Sequence, residues 1–116
     1  MNPQKLDRII KQFWKNERHN DKYHLGVCSE VAVSLKKFLK AGVIVKSGLM
    51  HTAYKYGNYY CDIRGCFTER EFKTVAPGIY LRPATKKEIA HINKLLEHHT
   101  VAYILNGLKQ AQKEVR

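Results

Sequence analysis

"VIVKSGLMHTAYKYGNYYCDI", residues 43–63, decides the fold. It reads as two strand-like runs, "VIVKSGLMHTAYKY" with a bend at Gly48 and "YYCDI", joined at Gly57-Asn58. A glycine-first pair between β-branched and aromatic residues signals a hairpin with a type II′ turn. A two-residue loop there makes Tyr56 face Tyr59, Ala53 face Asp62 and His51 face Arg64. Strand side chains alternate between faces, so His51, Ala53 and Asp62 share one face, with Asp62 diagonal to His51. A slip of one residue would carry Asp62 to the other face.

Working outward, helical patterns flank this stretch. Cys28 to Leu39 presents Val31, Leu35, Phe38 and Leu39 on one side, with Gly42 placed to end the helix. Asn2 and Pro3 suit an N-cap and first helical position, and Leu6, Ile9, Ile10 and Phe13 follow at helical spacing. Beyond Gly65, Thr68 with Glu71 and Thr85 with Glu88 have capping-box spacing. "FTEREF" reads as a short helix or turn, and "VAPGIYLRPA" supplies at most an edge strand at Ile79 to Leu81. Ile89, Ile92, Leu95 and Leu96 form one more helical stripe. A last helix runs from Thr100 through Ile104, Leu108 and Ala111, weakened at Asn106-Gly107. The expected class is α+β, with helices packed around a small antiparallel sheet, and residues 1–116 form one domain.

Composition narrows the function classes. The chain has 116 residues, of which 44% are hydrophobic, and no apolar run is long enough to span a membrane. "MNPQKLDRII" lacks the layout of a secretory signal, which points to a reducing cytoplasm. Three cysteines fit that setting, since at least one thiol stays unpaired. The formal charge of +11 is spread along the chain rather than gathered into a tail. Such a field attracts anionic partners, nucleic acid among them.

Cys28, His51 and Asp62 are the candidate chemistry. A thiol at a helix N-terminus feels the positive end of the dipole, which favours thiolate. An imidazole beside it favours thiolate further and can serve the leaving group. Asp62 on the face of His51 can accept from one ring nitrogen and leave the other free. Backbone N–H groups at the same helix start can stabilise an oxyanion.

On these residues the stretch resembles the core of transglutaminase-like cysteine enzymes, within the wider papain-like group. That family opens a central helix with Gly-x-Cys and a small residue four positions after the cysteine, matched here by Gly26, Cys28 and Ala32. Leu35, Leu39, Gly42, Ile44 and Gly48 match its helix and glycine-led strand. His51, Tyr60 and Asp62 match the histidine, the aromatic and the aspartate on adjacent strands. The resemblance implies a nucleophile in Cys28, a general base in His51 and an orienting carboxylate in Asp62. It also implies acyl transfer or amide hydrolysis on a protein or peptide substrate, without a cofactor. No Gln stands at the family's oxyanion-donor position, so Tyr23 or His24 would substitute.

Two other classes compete. Cys61 and Cys66 are spaced at the loose end of structural zinc sites and lack a His-x3-His partner, so no metal is expected. Tyr54, Lys55, Tyr56 and Tyr59 around the hairpin suggest an aromatic-basic surface for single-stranded nucleic acid or a protein partner. That reading makes the chain a non-catalytic accessory protein of the phage or plasmid kind. Alternation offers a plainer account, in which the tyrosines cover both faces of a small sheet.

Overall fold

Residues 1–17, 27–47, 51–75 and 81–115 are described by the computed structural model. Within them the chain forms helix α1 (Pro3–Glu17), α2 (Cys28–Leu39), strands β1 (Val43–Ser47), β2 (His51–Tyr56), β3 (Tyr59–Asp62) and β4 (Gly65–Thr68). Helix α3 (Glu69–Val75), β5 (Leu81–Pro83), α4 (Lys86–Leu95) and α5 (His98–Glu114) follow. The sheet is antiparallel, in the order β4-β3-β2-β1-β5. The class is therefore α+β.

The hairpin has the register expected from Gly57-Asn58: Tyr56 pairs with Tyr59 and Tyr54 with Cys61. Gly57 has φ 60 while Asn58 is not in the positive-φ region, as a type II′ turn requires. The run written as one strand with a bend splits into β1 and β2, which pair with Ser47 opposite His51 and Lys46 opposite Thr52. The short helix expected in "FTEREF" forms as α3 from Glu69, while Phe67 and Thr68 of that stretch lie in β4, a strand the structure adds. Its entry turn carries no glycine-first signal, being made by Asp62, whose Oδ1 accepts the Arg64 N–H at 2.8 Å. The edge strand lies at Leu81–Pro83, and Ile79 falls outside the described residues.

Alternation gives the sheet two apolar faces. Tyr54 and Cys61 point to α1, α2 and α5, joining Leu6, Ile9, Ile10, Phe13, Leu35, Ile104 and Leu108 in the main core. Val45, Ala53 and Tyr60 point the other way and are covered by Phe72 of α3. Ile92 of α4 and Leu96 just past its end pack against Val33, Ile44 and Val101, while Leu95 is exposed. The helix ends follow the sequence signals: Asn2 Oδ1 caps α1 through the Lys5 N–H at 2.7 Å, and both capping boxes close. Helix α2 ends earlier than Gly42, because Lys40 takes the left-handed conformation and its N–H returns to the Lys36 carbonyl.

Gly107 does not weaken α5. The helix runs through it because the Phe13 ring of α1 occupies the place where a Cβ would stand. A helical Gly→Ala change normally gains about 1 kcal/mol. Here Gly107→Ala is expected to lose about 1–3 kcal/mol through overpacking against a fully buried ring, read as a lower urea midpoint.

Candidate active site

The structure brings Cys28, His51 and Asp62 together at one end of β2. Cys28 is the first residue of α2, which packs along β2, so the helix start meets the strand start. Asp62 is the last residue of β3, next to β2 in the sheet and on the His51 side of it. His51 Nε2 lies 3.6 Å from Asp62 Oδ2. That is beyond a full N–H···O hydrogen bond, so the attraction is that of an ion pair. Nε2 has no closer partner among the described residues, which leaves Nδ1 as the nitrogen facing the thiol. The imidazole stacks on Phe72, with centroids 6.2 Å apart and planes 20° off parallel.

The charges follow from these neighbours. His51 is pushed up to about 9, by Asp62 first and by Cys28 next, against the opposing effect of burial. It is an imidazolium at neutral pH. Burial pushes the Cys28 thiol up, but the hydrogen bond with His51, the Thr52 backbone N–H, the His51 charge and the Ser29 hydroxyl outweigh it. The thiol ends below its ordinary value. Burial also raises Asp62, yet the His51 imidazole beside it and the hydrogen bonds from Arg64 bring its carboxyl below the usual carboxylate range.

Asp62 is shared. Its Oδ1 closes the β3–β4 turn, and Arg64 grips the carboxylate through Nε at 3.1 Å and Nη2 at 2.5 Å. The turn-capping and Arg-pairing roles therefore coexist with the approach to His51. Arg64 holds the carboxylate in place, and the imidazole takes the side of Oδ2 left open.

Sequence reasoning missed Thr52, Ser29, Lys46 and Phe72. Thr52 directs its backbone N–H to the thiol, while its hydroxyl meets Ser29 Oγ at 3.4 Å and accepts from Lys46 Nζ at 3.2 Å. Strand parity was enough to place Thr52 on the opposite face from His51; the β1–β2 register that brings in Lys46 had no sequence signal. Tyr23 and His24, assigned to oxyanion or substrate binding, lie outside the described residues.

The Tyr/Lys partner surface is corrected. Tyr54 is wholly buried, with its hydroxyl donating to the Ala41 carbonyl. Tyr56 and Tyr59 pack against the same core beneath α1, where Tyr56 donates to the Met1 carbonyl at 2.7 Å. Lys55 projects to the opposite face, over the Tyr60 ring. The pleat sends these four side chains to two different places, and no shared exposed patch results. Among the described residues no three His, Cys, Asp or Glu side chains gather as metal ligands would. No helix of the described residues is long and apolar enough to cross a membrane.

No protein-family model, curated protein or solved structure matches this chain.

Proposed function

We propose that the protein is a small cysteine-dependent acyltransferase or amide hydrolase, with a core of the transglutaminase/papain-like kind. One observation carries this reading: an imidazole lies between a thiol at a helix N-terminus and a buried carboxylate, with each neighbour favouring its charged form. Structural ion pairs seldom use a cysteine, because a neutral thiol packs as a small hydrophobe.

In the proposed cycle the Cys28 thiolate attacks a carbonyl carbon, forming an Sγ–C bond and an oxyanion. Val27 provides no side-chain cap to α2, so among the described residues no cap takes the N–H groups of Ser29 and Glu30, and these would hold that oxyanion. His51 gives its Nδ1 proton to the leaving amine as the C–N bond breaks, leaving a thioester on Cys28. Neutral His51 then takes a proton from water or an acceptor amine as that nucleophile displaces the thiolate. Asp62, held by Arg64, keeps the ring turned and stabilises its charge.

The test uses p-nitrophenyl acetate. A burst of one p-nitrophenolate per chain is expected, together with an acetyl group on Cys28 that hydroxylamine removes. The burst should vanish in Cys28→Ala. Steady release with no Cys28 adduct, or equal release by the variant, overturns the reading.

A further inference from the structure

A cleft of about 470 Å³ opens between β1 and α4, lined by Lys46, Thr85, Lys87, Glu88, His91 and Ile92. From β1 it is lined by Lys46, whose ammonium bonds the Thr52 hydroxyl at 3.2 Å. Thr52 is also the residue whose backbone N–H meets the Cys28 thiol. Thr52 of β2 thus links the ammonium to the sulfur, touching Lys46 with its hydroxyl and Cys28 with its backbone N–H.

The charges in the cleft do not balance. Glu88 is engaged: Arg82 holds it by two bonds of 2.5 and 2.8 Å, and it also caps the Thr85 N–H at 2.9 Å. Among the described residues Lys46 has only the neutral hydroxyl as partner, and no carboxylate lies within ion-pair distance. Lys46 is half-buried, and Lys87 adds a second ammonium to the lining. A half-buried ammonium without an anion is a site made for one.

We infer that this cleft is a carboxylate-binding subsite, anchored by Lys46, and that the substrate acted on at Cys28 carries a carboxylate close to the carbonyl attacked. The inference rests on the acyl-transfer reading, whose failure shows separately below. A carboxylate in the cleft forms a charge-assisted bond to Nζ while its backbone continues past Thr52 toward the α2 N-terminus. An acidic side chain and a C-terminal carboxylate offer the same chemistry.

The experiment compares alkylation of Cys28 by iodoacetate and by iodoacetamide, which differ in a negative charge. In Lys46→Met, a change of similar shape, the iodoacetate rate relative to iodoacetamide is expected to fall at least about threefold, the scale of one partly exposed charge pair. The iodoacetamide rate should hold, showing the site intact. Lys55→Met removes the same charge from the opposite face and should leave the ratio unchanged. Equal falls in both variants, or none in Lys46→Met, overturn the subsite and leave the reactive cysteine standing. A Cys28 inert to both reagents instead overturns the acyl-transfer reading, and the subsite with it. N-acetylglutamate amide and N-acetylglutamine, as millimolar protectants, then distinguish a side-chain from a terminal carboxylate. Protection by neither overturns the substrate assignment.

Discussion

In the His51→Ala variant, alkylation of Cys28 by iodoacetamide at pH 6 is expected to slow by at least about tenfold, with the rate profile displaced to higher pH. Only thiolate reacts, and each pKa unit by which a neighbour depresses a thiol raises the thiolate fraction about tenfold at lower pH. His51 supplies both a hydrogen bond and a charge to Cys28, and burial alone would raise the thiol. The variant removes what opposes burial, save for the Thr52 N–H and the Ser29 hydroxyl. Asp62→Asn should give a smaller displacement in the same direction, because it weakens the imidazolium and keeps the Cys28–His51 contact. Cys61 is an internal control, since its hydrogen bond with Cys66 and its burial push that thiol up and keep it unreactive. Peptide mass spectrometry across pH 5–9 reads all these sites together. A wild-type Cys28 that tracks Cys61, or a His51→Ala profile that overlies wild type, removes the basis for a nucleophile.

The same contacts show which parts of the site were legible in the chain. Gly57-Asn58 sets one register through turn chemistry, and that register decides which face every residue of β2 and β3 takes. His51 and Asp62 could thus be placed on one face from the sequence alone. The β1–β2 pairing has no such signal, because Gly48, Leu49 and Met50 do not name a turn type. Lys46 opposite Thr52, and the cleft beyond them, could not be read for that reason. Strand β4 was hidden similarly: Asp62 makes its turn with a side-chain oxygen, and Gly65 closes it as a lone glycine rather than in a hairpin pair such as Gly57-Asn58. The tyrosines misled through composition. Four aromatics around a hairpin suggest a surface, but the amphipathic stripes of α1, α2 and α5 need an apolar sheet face, and Tyr54 supplies it. Its hydroxyl tolerates burial because the Ala41 carbonyl lies at the end of the ring. Gly107 shows the same limit in a helix, where a residue that weakens α5 by propensity is required by the Phe13 ring of another helix.

Between pH 6.5 and about 9, Cys28→Ala is expected to lose stability more steeply as pH rises than the wild type, in which the lowered Cys28 thiol works against the slope of His51. His51 has its folded value raised from 6.5 to about 9, so its own contribution is complete below 6.5 and disappears as pH climbs through 9. Cys28 has its folded value depressed, so its contribution is complete above the ordinary thiol value of 9.0 and disappears as pH falls. Where the folded thiol has already lost its proton, the folded chain carries one on His51 while the unfolded chain still carries one on Cys28, so the two slopes oppose each other. Replacing the thiol removes the unfolded-state proton and leaves a slope of at most about 1.4 kcal/mol per pH unit. Asp62, the larger cause, still holds His51 up in the variant; the loss of Cys28 brings the upper end of the window down. Urea midpoints at pH 6.5, 7.5 and 8.5 measure the difference between the two proteins, in which all other titrating groups are common. A wild type that slopes like Cys28→Ala places a neutral thiol beside the imidazolium and ends the thiolate model. A variant with no slope in this window means that His51 titrates as an ordinary histidine, and that Asp62 is spent entirely on Arg64 and the turn.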